Sequence, residues 1–188
     1  MPVSRRALLA AAPLAAAGLA SRAAPVPHDV GLTQDWFHEG FLDLREDLNE
    51  AREAGQRLAV VFEQRGCPYC LDMHRDHLAR PEIEDFIRPR FRMVQLNLHG
   101  ARHVTDLDGE VLEERRLARR WGVGFTPSIV FLPEQARVPA TSGGAMQVAR
   151  MAGLLPKPQF LGYFAYVAER GYADGTGFLP WWARRRAG

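Results

Sequence analysis

Apolar residues recur along the chain at two different spacings, and each spacing predicts a type of element. Between residues 34 and 54 they stand three and four positions apart, at Phe37, Phe41, Leu44, Leu48 and Ala51. This period predicts an amphipathic helix that ends at Gly55. RLAVVFE at residues 57–63 and FRMVQLNL at residues 91–98 are short apolar runs, which indicate buried strands.

The segment between these two strands predicts how they are connected. Residues 67–79 have helical spacing, and Pro81 begins a further turn or short helix. A strand, a helix and a strand therefore follow one another along the chain. We expect a right-handed crossover that joins two parallel strands.

The second half of the chain continues the alternation of helices and strands. Residues 99–110 are polar and rich in turn residues, which predicts a loop or a small hairpin. The sequence then predicts a helix over 111–121, a strand over 128–132, an edge strand over 146–151 and a helix over 157–170. In the first of these helices Leu117, Ala118 and Trp121 are expected to face the core.

The first 23 residues have the three-part pattern of a cleaved export signal. Arg5 and Arg6 precede an Ala- and Leu-rich run over 7–20, and small residues at Ala20 and Ala23 suit cleavage. The SRRALL segment resembles the twin-arginine export motif. Because the apolar run is shorter than the roughly 20 residues a bilayer requires, we expect cleavage rather than an anchor. The mature chain is then periplasmic, with no membrane span of its own.

The mature chain is expected to form one domain, over residues 28–172, followed by a tail over 173–188. Cleavage after Ala20 removes two of the 24 basic residues and none of the 22 acidic ones, which leaves 22 of each. A balanced charge argues against a nucleic-acid partner. The tail carries three aromatic residues before three arginines, and its pattern leaves open whether it packs on the domain or binds something else.

The chain has two cysteines, Cys67 and Cys70, in the sequence CPYC at the junction of strand and helix. With Cys67 at the helix cap and Pro68 at the first helical position, the free N–H groups and the helix dipole favour a thiolate on Cys67. Cys70 lies one turn later, within disulfide reach. This arrangement predicts attack by one thiolate, a mixed disulfide, and resolution by the other cysteine.

A metal site is the main alternative, since histidines follow the cysteines on the same helix. Cys67, Cys70 and His74 offer ligands that zinc or copper accepts, which would make the protein a metal-binding or metal-delivery protein. His77 is one turn further on, and the span from Cys70 to His77 is about 10 Å, too wide for one ion. His74 also shares a stripe with Leu71 and Leu78, so it is equally compatible with a hydrogen-bonded packing role.

The order of the motifs resembles the thioredoxin-fold oxidoreductases: strand, CxxC at a helix start, second strand, helix, then GFTPSIVF at residues 124–131. The resemblance implies an α/β fold, a three-layer α/β/α sandwich with a mixed central sheet, and no cofactor. It implies that Cys67 attacks and Cys70 resolves, with support from Pro68 and Tyr69. It also implies a cis-proline turn and a substrate groove, formed by Phe125, Thr126, Pro127 and Trp121.

Three segments are most similar to the periplasmic thioredoxins of bacterial sulfur-oxidation systems, of the SoxW and SoxS type: EQRGCPYC, the polar insert, and RRWGVGFTP. This resemblance implies reduction of disulfides in exported partner proteins, such as sulfur-oxidation components. It also implies that a membrane thiol-reductant transporter supplies the electrons.

One position departs from the family pattern. Thioredoxins usually carry a buried acid six residues before the first cysteine, and that position here is Val61. Glu63 lies two residues further on and therefore on the same face of the strand. Two hypotheses stay open: Glu63 replaces the missing acid as proton acceptor for Cys70, or it lies at the strand end in water.

Overall fold

The computed structural model describes residues 25–136 and 139–187, so the predicted export signal lies outside the described residues. The strands are β1 (Val26–His28), β2 (Gly31–Thr33), β3 (Arg57–Glu63), β4 (Phe91–Asn97), β5 (His103–Thr105), β6 (Val111–Glu113), β7 (Ser128–Phe131) and β8 (Ala149–Ala152). The helices are α1 (Leu44–Glu53), α2 (Pro68–Asp72), a π-helix (Met73–Leu78), α3 (Pro81–Ile87), α4 (Glu114–Arg120), α5 (Gly143–Met146), α6 (Lys157–Ala168) and α7 (Phe178–Ala187). Within the described ranges, no helix has the length and apolar character needed to cross a bilayer.

A mixed four-stranded sheet in the order β4–β3–β7–β8 forms the middle layer. β3 pairs in parallel with β4 and antiparallel with β7, and β7 pairs antiparallel with β8. All seven residues of β3 are buried, as the apolar run predicts for a central strand. The predicted parallel pairing of the first two core strands is therefore confirmed.

Two apolar clusters cover the two faces of this sheet. Val60 and Phe62 face one cluster, to which α1 and α4 contribute, while Ala59 and Val61 face the other, which contains residues of the π-helix, α3 and α6. In the second cluster Phe91, Phe131 and Phe164 pack edge to face, with ring centroids 5.0 to 5.8 Å apart. Helices on both sides of a mixed sheet give the predicted three-layer α/β fold.

The helix predicted over residues 34–54 is wrong in its first half. α1 begins at Leu44, because the side chain of Asp43 caps it by accepting the N–H groups of Arg45 and Glu46 at 3.0 and 3.4 Å. Leu42 has a φ of 59°, which no helix continues through, and Phe41 is 98% exposed rather than part of an apolar face. The preceding segment instead runs beside β4.

The helix predicted over 111–121 also starts too early. Residues Val111–Glu113 form β6, which pairs with β5 in an antiparallel hairpin, and α4 begins only at Glu114. The β-branched Val111 suits a strand, and the pairing with β5 decides the conformation. Leu117, Ala118 and Trp121 are buried, as predicted. At the sheet edge the predicted strand is displaced as well, because Met146 ends α5 and β8 starts at Ala149.

The C-terminal tail forms α7 and packs on α6. The Phe178 ring lies 4.5 Å from that of Tyr163, and the Trp181 ring lies 5.5 Å from that of Tyr166. Trp182 packs against Gly162 so closely that a Cβ atom there would overlap the indole. The aromatic residues of the tail therefore join it to the domain.

Asp106, in the turn of the β5–β6 hairpin, joins this hairpin to α4 and α5. The side chain has no exposed surface and accepts four hydrogen bonds. The donors are the Arg120 guanidinium at 2.7 Å, the Trp121 indole at 3.1 Å, and the backbone N–H groups of Leu107 and Gly143 at 2.7 and 2.8 Å. The carboxylate therefore holds the indole of Trp121, the residue directly before the 122–127 loop, in one orientation.

Replacing Asp106 with Asn should lower the free energy of unfolding by about 2–4 kcal/mol, because the amide loses the charge that faces Arg120 and one of its acceptor oxygens. Urea unfolding measures this loss. Asp108→Asn is the matched control: Asp108 bonds the same guanidinium but its side chain is 22% exposed, so the loss should be below about 1 kcal/mol. Equal losses in the two variants would contradict the role of Asp106.

Candidate active site

Cys67 and Cys70 form a disulfide directly after the central strand. Cys67 is the N-cap of α2, with φ −85° and ψ 108°, and Pro68 occupies the first helical turn, as predicted. The backbone N–H of Cys70 donates to the Cys67 Sγ at 3.1 Å, and the two Cα atoms are 5.3 Å apart. A sulfur in this place receives the cap hydrogen bond that stabilises negative charge.

The two cysteines are buried, whereas one aromatic residue of the CPYC turn and one of the 124–127 loop are exposed. Cys67 and Cys70 are 5% and 2% exposed, whereas Tyr69 is 64% exposed and Phe125 is 55% exposed. Because Ser128 pairs with Phe62, the 124–127 loop lies at the same end of the sheet as the CPYC turn. A partner protein can therefore contact aromatic side chains beside the disulfide.

The loop before β7 has a cis peptide bond between Thr126 and Pro127. The Ser128 hydroxyl donates to the Phe125 carbonyl at 2.8 Å, and the Gly153 N–H donates to the Pro127 carbonyl at 2.9 Å. Gly153 has a φ of 82°, in the left-handed region that glycine occupies without strain. Thr126 is half-buried, and within the described ranges its backbone N–H and carbonyl have no hydrogen-bond partner.

Arg150 on β8 also holds the start of this loop by hydrogen bonds. Its guanidinium donates to the Gly122 carbonyl at 2.8 Å and to the Trp121 carbonyl, and its Nε donates to Gln147 at 2.9 Å. A cation suits these carbonyls because they end helix α4. Burial lowers the pKa of Arg150 below its ordinary value. The sequence offered no sign of this role, since an arginine on an edge strand is ordinarily solvated.

Beneath the disulfide end of β3 lies a buried, hydrogen-bonded pair of Glu63 and His74. Both residues have no exposed surface, and the His74 Nε2 lies 2.9 and 3.1 Å from the two carboxylate oxygens. The Gln95 amide donates to Glu63 at 2.9 Å, and the Gln34 amide lies 3.1 Å from the His74 Nδ1. Because Gln34 donates to Nδ1, the ring hydrogen is on Nε2, where it faces the carboxylate.

Burial excludes the hypothesis that Glu63 lies in water at the strand end. His74 has the hydrogen-bonded interior position that its stripe of neighbours permits, and the π-helix turns it inward together with Met73, His77 and Leu78. Sequence analysis missed Gln34 and Gln95 as partners of the pair. A polar residue in the middle of FRMVQLNL is the one signal that points to Gln95.

Trp121 does not line the substrate groove. It is 3% exposed and lies in the cluster with Phe62, its indole bonded to Asp106. The prediction failed because the helical stripe that turns Trp121 inward also removes it from the surface. Phe125 and Thr126 remain accessible in the same loop.

The structure does not bring Cys67, Cys70 and His74 together as open metal ligands. The two sulfurs are bonded to each other, and both ring nitrogens of His74 face protein groups. This geometry does not favour the metal-binding alternative.

Elsewhere in the described ranges, His38, Asp47 and Glu50 have metal-compatible spacing. The Arg92 guanidinium lies 2.7 Å from the His38 Nδ1 and 2.8 Å from Glu50, so a cation already occupies that cluster. Burial raises the pKa of Asp47, against the opposing effect of His38 and Arg92.

Comparison with known proteins places this geometry in a family. The model of the thioredoxin-like domain family matches residues 44–168. A thioredoxin-fold protein from Helicobacter pylori is 19% identical, with 71% of this chain and 81% of that chain covered and a TM-score of 0.55. A thioredoxin from Thermus thermophilus is 27% identical, with 72% and 91% covered and a TM-score of 0.53. No curated protein matches the chain.

The family match includes both cysteines, the buried pair, the cis-proline loop and all four strands of the central sheet. A disulfide at CxxC spacing on this fold supports a redox oxidoreductase in general. Since the match covers more than half of its length, the chain belongs to the thioredoxin-like domain family.

Proposed function

We propose that the protein is a periplasmic protein-disulfide reductase whose redox pair is Cys67 and Cys70. The position of the Cys67 Sγ at the helix cap, where it accepts the Cys70 N–H, carries this proposal. In the reduced protein the Cys67 thiolate attacks a substrate disulfide and forms a mixed disulfide. Cys70 then attacks the Cys67 sulfur, so two electrons pass to the substrate and its two sulfurs leave as thiols.

The substrate segment is extended and pairs with the backbone of the cis-proline loop. The N–H and carbonyl groups of Thr126 have no partner in residues 25–136 and 139–187, and this supports the pairing, because free main-chain groups can add a strand from a partner. Phe125 and Tyr69 cover the segment from two sides. Main-chain pairing explains how a reductase accepts many protein sequences.

The direction of electron flow and the partners rest on the sequence resemblance. The predicted export signal places the mature protein in the periplasm, where disulfides persist. The substrates are exported proteins with disulfides, such as sulfur-oxidation components, and a membrane thiol-reductant transporter restores the dithiol. The exposed aromatic rim around a buried disulfide suits contact with both of these proteins.

Single cysteine variants test the two roles. Cys67→Ser should abolish reduction of a protein disulfide such as that of insulin, because the remaining thiol, Cys70, is 2% exposed and does not stand at the helix cap. Cys70→Ser should instead accumulate a mixed disulfide, which mass spectrometry detects, because resolution is lost. Reduction by the Cys67 variant at the rate of the parent protein would refute the mechanism.

The reduction potential tests the direction of transfer. We expect a value near that of thioredoxin, about −270 mV, measured by thiol trapping across a series of redox buffers. Such a value belongs to a reductant that needs an electron supply. A value near about −120 mV would belong to an oxidant that installs disulfides, and the partner assignment would then be wrong.

The buried Glu63 accepts a proton from Cys70 during resolution. Glu63 is the last residue of β3, and His74 lies four residues after Cys70 on the continuous helical segment, so the pair lies on the inner side of the disulfide turn. A buried carboxylate with a fixed imidazole partner is suited to accept and return a proton. His74 is a positioning residue in this scheme.

Glu63→Gln should slow decay of the mixed disulfide by about tenfold or more, since the amide keeps the shape of the carboxylate but accepts no proton. Single-turnover quenching with acid measures this decay, while attack by Cys67 should change little. Glu53→Gln, an exposed change at the end of α1, is the control. Unchanged decay in a folded Glu63→Gln protein would exclude Glu63 as the proton acceptor.

A further inference from the structure

An open groove begins at Tyr69 and leads away from the disulfide along the π-helix. Its cavity volume is about 500 Å³, and Leu154, Leu155 and Pro156 form its apolar floor. Asp72 and Asp76, on the helical segment that follows Cys70, line it as well. The groove is therefore continuous with the redox site but is not the cis-proline loop.

The groove continues onto the C-terminal helix. A second depression, of about 360 Å³, shares Pro156 and Pro158 with the first and is closed by Trp182 and Arg186 of α7. α7 follows residue 168, where the family match ends. This end of the groove is thus formed by an element outside the shared domain.

Both acidic and basic side chains line the groove. Asp72 and Asp76 are exposed, one turn apart, and neither has an ion-pair partner in the part of the chain that the structure describes. Lys157 lines the same depression, Arg186 lines the second one, and neither has an ion-pair partner among the described residues. Separated charges that no internal partner neutralises are available to a ligand with the complementary order of charges.

His77 lines the groove and has one buried ring nitrogen without a partner among the described residues. The residue is 6% exposed, and its Nε2 lies 3.0 Å from the Leu155 carbonyl, to which it must donate. The Nδ1 is buried and has no partner among the described residues. The bond to the Leu155 carbonyl joins the π-helix to the 154–156 segment of the groove.

We propose that this groove binds a segment of the protein substrate beyond its reactive disulfide. The segment has a basic side chain close to the disulfide, apolar residues in the middle, and an acidic side chain toward α7. Asp72 and Asp76 bind the first, Leu154 to Pro156 the second, and Lys157 and Arg186 the third. The proposal rests on the proposed reductase function and adds a selection of substrates by charge order.

The test uses the reduced protein and two synthetic peptides, each with one cysteine in a disulfide to a small aromatic thiol. The first peptide has lysine beside the cysteine, leucines in the middle and aspartate at the far end, and the second exchanges the two charged residues. Single-turnover reduction of the first should be roughly fivefold faster at low salt. High salt should diminish the preference.

Variants locate the source of the preference. Asp72→Asn combined with Asp76→Asn should remove most of it, and Arg186→Glu should weaken it. Asp35→Asn combined with Glu53→Gln removes the same charge from exposed positions outside the groove and should retain it. A preference that is absent, or that survives loss of Asp72 and Asp76, would overturn the proposal.

Hydroxyethyl disulfide, which is small and uncharged, distinguishes failure of the reductase function from failure of the groove proposal. A reduced protein that reduces neither this compound nor the peptides would refute the reductase function itself. A protein that reduces this compound, and both peptides at equal rates, would overturn the groove alone.

Discussion

The buried pair of Glu63 and His74 is the constraint on which the active-site end of the molecule depends. Burying a carboxylate and an imidazole away from water costs free energy, and the hydrogen bond between them offsets this cost only with good geometry and further hydrogen bonds. Gln95 and Gln34 supply those bonds. The carboxylate, the imidazole and the two amides must therefore be in place together, although they come from four separate segments.

That requirement links segments far apart in the chain. The register of β3 with β4 places Gln95 opposite Val61 and within reach of Glu63, and the same amide donates to the Leu32 carbonyl of β2 at 2.8 Å. The Gln34 amide also donates to the His74 carbonyl at 3.1 Å. The helical segment that carries the cysteines is thereby held by hydrogen bonds at His74 and at the Cys67 cap. Both cysteines stand on a segment that cannot tilt without breaking buried bonds.

The sequence predicted most of the sheet because buried strands have to be apolar along their whole length, as β3 is. It also predicted the cap at Cys67, since Pro68 tolerates only the first helical turn. It failed where a local contact competes with a periodic pattern: the Asp43 cap overrides the apolar spacing before Leu44, and pairing with β5 overrides the helical spacing after Val111. The role of Glu63 could not be decided from the sequence around it. Its partner His74 is turned toward it by a π-helix, which the sequence pattern did not predict.

In the proposed mechanism the site separates two tasks, proton transfer and choice of substrate, that place opposite demands on a protein surface. Proton transfer to and from a thiol needs groups of fixed position shielded from water, and the pair beneath the disulfide has no exposed surface. Choice of substrate needs exposed groups, and the groove from Tyr69 to Arg186 supplies aromatic, acidic and basic ones. Because no ion pair in the described ranges connects the two sets, charges in the groove can change without altering the chemistry below. The α7 helix, which the family match does not include, contributes to the groove and makes no contact with the buried pair among the described residues.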